Sequence, residues 1–214
     1  MARETAELRD RAVETLARAF RDNPLNRRVV GGSLERRLQA NRHGLRALIG
    51  SAGVRALALA AMPKEGEQSV SMPIDGMTGL LVAIPPFGYP LPGPSLGAQL
   101  RVVLGQGWGV ARRWGRVSEA LDRIHPQEPH WYLAILGVDP AVQGQGQGSA
   151  LLATWLCRVD ADEAAAYLET DRFENVSFYR RVGFEVVRET QVLGISIWCM
   201  WRPRPNSPSF GSAL

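Results

Sequence analysis

The sequence is short of cysteine, of long apolar runs and of net charge, and each shortage removes a class of protein. Only two cysteines occur in 214 residues, Cys157 and Cys199, with no CxxC and no Cys/His spacing suited to zinc. A disulfide-stapled scaffold and a zinc module are excluded, no metal is expected, and this cysteine usage fits a reducing cytoplasm. No segment reaches the ~20 apolar residues of a membrane span, and MARETAELRDRAVET lacks the apolar stretch of a signal peptide, so neither a membrane partner nor export is expected. The 25 Lys and Arg against 21 Asp and Glu leave a net charge of +4, too little to argue for nucleic acid. The clusters Arg27, Arg28, Arg36, Arg37 and Arg112, Arg113, Arg116 have no interleaved aromatics and read as solvated helix faces.

With 45% hydrophobic and 21% charged residues, the chain has the composition of one globular domain, placed at 1–203 with a loose tail at 204–214. Val13, Leu16, Ala17 and Phe20 recur at helical spacing after Asp10, an expected N-cap, and Asn23-Pro24 reads as the stop. A second helix is expected over 34–48, strands over 54–61 and 78–86, and helices over 96–104 and 108–124. PPFGYPLPGP, 85–94, is an irregular loop that opens a variable segment, 85–124, suited to covering a substrate. The second half reads as a strand at 130–138, a glycine loop, a helix at 149–159, a strand at 164–170, a helix at 175–182 closed by Gly183, and two strands over GFEVVRETQV and ISIWCMW.

The loop VDPAVQGQGQGS carries the chemistry. Glycines between a strand and a helix N-terminus offer unpaired backbone N–H groups and the positive end of the helix dipole to a phosphate. The loop is not a Walker sequence, because Gly148 is followed by Ser149 with no lysine. Nor is it a dinucleotide fingerprint, which would need glycine where Ser149 or Leu151 stands. ATP and NAD are therefore disfavoured.

What remains is Gln143-x-x-Gly146-x-Gly148 after the strand AILGV, with LETDRFENVSFYRRVGFEVV downstream. Together these resemble the GNAT superfamily of acyl-CoA-dependent N-acyltransferases. Its pyrophosphate loop reads Arg/Gln-x-x-Gly-x-Gly/Ala, and its later segment carries an Asn, a Tyr four residues on, and a Gly-Phe, matched by Asn175, Tyr179, Gly183 and Phe184. The resemblance is close across 129–203, where the chain is similar to the puromycin N-acetyltransferase group and its small-molecule-acetylating relatives, and looser before it. It implies an α/β fold whose mixed, mostly antiparallel sheet is splayed at a central strand and flanked by helices. The family opens with a strand, whereas only MARETAELR precedes Asp10; the sheet either lacks its first edge strand or begins upstream.

The resemblance also implies acetyl-CoA as co-substrate and the primary amine of a small molecule as acceptor. Gly144, Gln145, Gly146, Gln147, Gly148 and Ser149, following Gln143, would hold the pyrophosphate, and the strand edge at Leu136, Gly137 and Val138 the pantetheine arm. Gly137 suits a β-bulge that turns an amide toward the thioester oxygen. Tyr179 is the expected general acid, its phenol protonated at neutral pH, and Asn175, an expected N-cap, would orient it or the arm. Glu169 is the expected general base, with His130 and Glu128 as alternatives. Trp131, Tyr132 and Trp198 are candidates to line the acceptor pocket. A non-catalytic acyl-CoA-binding protein and a protein N-acetyltransferase are the competing functions, and an exposed strand edge leaves room for a homodimer.

Overall fold

A computed structural model of the chain describes residues 2–52, 57–61, 76–90 and 95–205. Three helices come first, α1 (Ala2–Phe20), α2 (Pro24–Val30) and α3 (Leu34–Ala52), then strands β1 (Leu57–Ala61) and β2 (Gly79–Ile84) and helices α4 (Leu96–Gln106) and α5 (Trp108–Asp122). After them come β3 (His130–Val138), a 3-10 turn at Pro140–Val142, α6 (Gln147–Ala161), β4 (Ala165–Thr170), α7 (Phe173–Arg180), β5 (Glu185–Val192) and β6 (Ile195–Arg202). The strands form one sheet of order β1-β2-β3-β4-β6-β5, parallel between β3 and β4 and antiparallel at the other pairings. It is the mixed, mostly antiparallel α/β architecture that the resemblance implied.

Helices cover both faces. On one, Leu151, Leu152, Trp155, Leu156 and Val159 of α6 and Val176 and Tyr179 of α7 pack on Leu81, Ala83, Leu133, Ala166, Leu168 and Met200. On the other, Ala12, Val13, Leu16 and Ala17 of α1 meet Leu38 and Leu45 of α3 over Leu80, Val82 and Ile135. Strand β2 is buried along its whole length because it contributes to both.

Several boundaries differ from the sequence reading. Helix α1 starts at Ala2 rather than at Asp10: its first turns lack an apolar stripe, but Asp10 and Glu14 meet Arg46 and Arg42 of α3, the latter by two bonds of 2.8 and 2.9 Å. Asn23-Pro24 does end α1, yet Pro24 also opens α2, since proline at the first helical position forfeits no intrahelical bond. Helix α6 begins at Gln147, two residues early. Helix α7 begins at Phe173, so Asn175 is its third residue and not its N-cap. The expected strand residues 54–56, loop residues 91–94 and tail residues 206–214 lie outside the described residues. Among the described residues no strand precedes α1, and β1 forms the sheet edge.

The bulge is also displaced. Val82 pairs with Ile135 but its neighbour Ala83 pairs with Leu133, which leaves Ala134 as the extra residue on β3. One extra residue reverses the alternation, so Trp131 and Leu133 face α6 while Ile135 faces α1. Gly137 keeps its ladder place opposite Leu80 and serves another purpose: a β carbon there would stand 2.6 Å from Leu16 Cδ2 and 3.2 Å from Ala19 Cβ. Glycine at 137 lets α1 lie against the strand.

Candidate active site

The glycine loop begins at a fixed corner. Asp139, its side chain 5% exposed, accepts from Ala141 N at 3.0 Å and lies 2.6 Å from Arg18 Nη2, in ion-pair contact rather than an aligned hydrogen bond. Gln143 Nε2 donates to Val138 O at 2.9 Å, closing the loop on the strand end. Gly144 and Gly146 then take left-handed φ of 83° and 82°, which a side chain would strain. The first bond within α6 runs from Ala150 N to Gly146 O, so the N–H groups of Gln147, Gly148 and Ser149 precede it. The Gly146 cap makes no side-chain bond to them. Residues 143–146 and Ser149 are exposed, whereas the Gln147 side chain is buried; what Gln147 can offer a ligand is its backbone. Gln147, Gly148 and Ser149 thus present backbone N–H groups at the positive end of the α6 dipole, a fit for a pyrophosphate.

Beside the loop the sheet splits. Strands β3 and β4 pair only at His130 with Ala165, Trp131 with Ala166 and Tyr132 with Tyr167. Past Tyr132 each strand continues, β3 to Val138 and β4 to Thr170, without pairing to the other. The β4-facing edge of β3, which includes Leu136, Gly137 and Val138, is left with backbone groups that an extended, amide-bearing arm can meet.

Side chains of the candidate site lie on opposite faces of β4. On the α6/α7 face, Tyr179 packs edge-to-face on Phe184 and Phe178. Its phenol is held well above the ordinary tyrosine value by burial, so it stays protonated. Asn175 Nδ2 donates to Thr170 Oγ1 at 3.1 Å, tying α7 to the end of β4. At the same end Asp171 accepts from Leu25 N at 2.8 Å, anchoring α2; burial raises its carboxyl, with that N–H acting against the rise.

Glu169 lies on the other face, two residues past the last β3/β4 pair, with its side chain 7% exposed. His125 Nδ1 is 3.8 Å from its Oε1. His125 Nε2 in turn is 3.1 Å from His130 Nε2, and His130 Nδ1 is 2.5 Å from the Glu128 carbonyl. Tyr89 stacks on His125 with ring centroids 3.7 Å apart and donates to Asp122. The phenols of Tyr132 and Tyr167 are both raised, first by burial and then by the Glu169 carboxylate. Cys199, beside Tyr167 on this face, has its thiol raised by burial as well.

The structure thus brings Glu169, His130 and Tyr132 into one cluster and leaves other candidates outside it. The Glu128 carboxylate points out to Arg204 at 3.0 Å, and only its carbonyl joins the cluster. Trp131 is core, its indole donating to Asp162 at 3.1 Å, and Trp198 packs on Phe173. The sequence reading missed His125, Tyr89, Asp122, Tyr167 and Cys199. The available signal was that two of the chain's three histidines fall within six residues at the head of the central strand. Among the described residues no group of three His, Cys, Asp or Glu is placed to hold a metal, and no helix is long and apolar enough to cross a membrane. The open surface cavity of about 470 Å³ lined by Asp160, Val182, Gly183, Arg202, Pro203 and Pro205 contains none of these groups, and Arg202 there is bonded to Asp160.

A split sheet, a glycine-opened helix at one end of the split and a buried carboxylate beside it make up the candidate site. Residues 105–186 match the acetyltransferase (GNAT) domain family. Over 83 residues, 35% of this chain, it is 36% identical to mycothiol acetyltransferase of Mycolicibacterium gilvum (strain PYR-GCK), and the match takes in 24% of that protein. The chain thus spans about a quarter of the length of that curated relative. Among solved structures, the histone acetyltransferase HPA2 and related acetyltransferase of Corynebacterium glutamicum ATCC 13032 superposes with a TM-score of 0.66 at 24% identity, covering 92% of this chain and 91% of that one. Aminoglycoside 6'-acetyltransferase type Ii superposes with a TM-score of 0.53 at 13% identity, covering 96% of each chain. These two share the fold.

Proposed function

We propose that the protein is an acetyl-CoA-dependent N-acetyltransferase that acetylates the primary amine of a small molecule by direct attack on the thioester. The observation that carries this reading is the parting of β3 and β4 immediately before Glu169, with the open N-terminus of α6 beside the same gap. The backbone N–H groups of Gln147, Gly148 and Ser149 would take the pyrophosphate, and the free edge of β3 from the Ala134 bulge to Val138 the pantetheine arm. Acetyl-CoA supplies the activated acetyl carbonyl. Glu169, on one face of β4, receives the proton that the amine gives up, and Tyr179, on the opposite face, protonates the departing thiolate. Acid and base then act from the two sides of the gap.

Enclosure supports a small acceptor. His125 and Glu169 keep only 4% and 7% of their side chains exposed, and Tyr89 lies over His125, which suits a compact amine better than a polypeptide chain.

The test is thermal unfolding with acetyl-CoA, ATP and NAD offered separately, followed by a panel of amines with thiol release as the readout. Acetyl-CoA at about 100 times its dissociation constant should add roughly 2.7 kcal/mol, and primary amines should release CoA. Stabilisation by ATP or NAD alone defeats the reading; stabilisation by acetyl-CoA without thiol release for any amine leaves a non-catalytic binding protein.

A further inference from the structure

Among the described residues, three buried atoms in the cluster around Glu169 have no partner at hydrogen-bond geometry: His125 Nδ1, Glu169 Oε1 and the Tyr167 hydroxyl. The side chains bearing the first two are more than nine-tenths buried, and the two atoms face each other at 3.8 Å. Leaving such groups unmet is costly, so what they are shaped to meet is informative.

The hydrogen-bond chain fixes which proton is missing. A carbonyl oxygen can only accept, so His130 must donate its Nδ1–H to Glu128 O. Burial pushes the His130 imidazole below its ordinary value, so it is neutral and its Nε2 carries a lone pair. His125 must then donate Nε2–H to it, which turns the Nδ1 of His125 toward Glu169. At 3.8 Å no hydrogen bond joins that Nδ1 to Glu169 Oε1, so each atom is left to meet another group.

We infer that His125 Nδ1 and Glu169 Oε1 form a two-acceptor nest for the N–H groups of the acceptor amine, and that this pair, rather than Glu169 alone, takes the amine's proton. The inference deepens the acetyltransferase reading and rests on it. The geometry suits one nitrogen carrying two hydrogens: a nitrogen about 2.9 Å from both atoms sees them at about 80°, which bends each N–H bond by only about 15°. A tertiary amine has no hydrogen to offer, and a secondary amine satisfies one acceptor before attack, so the nest selects primary amines. The Tyr132 and Tyr167 hydroxyls, whose phenols the Glu169 carboxylate raises, are further groups beside the pair able to donate or accept.

In the transfer step, the nitrogen lone pair forms the bond to the acetyl carbonyl carbon. The N–H bond facing His125 breaks, its electrons stay on nitrogen, and its proton goes to Nδ1, where the Glu169 carboxylate balances the imidazolium. The C–S bond breaks with its electrons on sulfur, which takes the Tyr179 proton; solvent then returns a proton to Tyr179 and removes the one on His125. Tyr89 and Asp122 on the His125 side, and Tyr132, Tyr167 and His130 behind, are the other polar groups facing the pair.

The test uses the full chain with ¹⁵N-labelled histidine. At neutral pH the spectra should show His130 protonated on Nδ1 and His125 on Nε2, with His125 Nδ1 bare. Methylammonium chloride should shift the His125 Nδ1 resonance, whereas tetramethylammonium, which has no N–H, should not. A proton resident on His125 Nδ1, or a response to neither probe, overturns the nest and leaves a buried structural cluster. With an amine that the panel shows to be turned over, His125→Gln keeps a donor toward His130 and replaces the basic imidazole nitrogen facing Glu169 by a non-basic amide. It should raise the amine KM at least tenfold and leave the acetyl-CoA KM unchanged; unaltered amine kinetics in a variant of wild-type Tm overturns the inference alone. Failure of acetyl-CoA to stabilise the chain removes the acetyltransferase reading, and the amine role with it.

Discussion

Leu16 Cδ2 of α1 lies 2.6 Å from where a β carbon on Gly137 would stand, and that contact sets the distance between the first helix and the central strand. Leu16 is fully buried and Ala19 Cβ, at 3.2 Å from the same point, cannot rotate away. Gly137→Ala should therefore cost about 1–3 kcal/mol by overpacking, read as a lower midpoint in urea with an unchanged slope. If the glycine were present for backbone freedom alone, alanine would be tolerated, since φ at 137 is not among the left-handed values.

Arg18 and Asp139 fix the entrance to the glycine loop. Asp139→Asn removes the charge facing a guanidinium that keeps 19% of its side chain exposed, so a loss of about 3 kcal/mol is expected, the low end for a buried pair. The double variant Arg18→Met/Asp139→Asn should recover part of that loss, because no charge is then left unpaired. Acetyl-CoA should bind the single variant more weakly than the wild type by titration calorimetry, as the loop loses its fixed corner.

These two contacts also mark where the sequence was legible. Strand β3, the loop and helix α6 could be read because alternation, glycine punctuation and a 3.6-residue period follow one another in a single stretch. Asp139-Pro140 stood at the head of the loop, but nothing local said that Arg18, from the first helix, would meet it. Gly137 was legible as a special position and misread in kind: the extra residue is Ala134, whose side chain carries no bulge signature, and the glycine answers to α1. Asn175 stood next to residues that looked like a helix start, while α7 in fact opens two residues earlier. The Glu169 cluster was least legible, because Tyr89, His125, Tyr132, Tyr167 and Glu169 come from two loops and two strands that only the sheet order brings together.

His130 supplies a pH dependence of stability. Burial lowers its imidazole most, with His125 acting in the same direction; the Glu128 carbonyl and the Glu169 and Glu128 carboxylates oppose them, and the Tyr167 and Trp201 rings close the site. A base whose folded value lies below its unfolded 6.5 gives its full stabilisation above 6.5 and loses it as pH falls through the folded value. The wild-type Tm should therefore drop on going from about pH 7.5 to about 5.5, and His130→Gln should flatten that drop. Equal slopes for the two proteins would mean that His130 does not titrate in this window.

The acid role proposed for Tyr179 separates catalysis from binding. Its phenol is buried, held above the ordinary value and packed between Phe178 and Phe184, so it can donate a proton at any pH at which the fold survives. Phenylalanine preserves the ring and its edge-to-face contacts and removes only the acid. Tyr179→Phe should then lower kcat by about 10²-fold, the low end for general acid catalysis, because a thiolate is a stable enough leaving group to depart slowly without help. Acetyl-CoA should stabilise the variant as much as the wild type. A leaving group that is already a good one, offered as a thioester of an acidic thiol, should restore most of the lost rate; if the deficit were instead the same for every thioester, the hydroxyl would be acting on packing and not on sulfur.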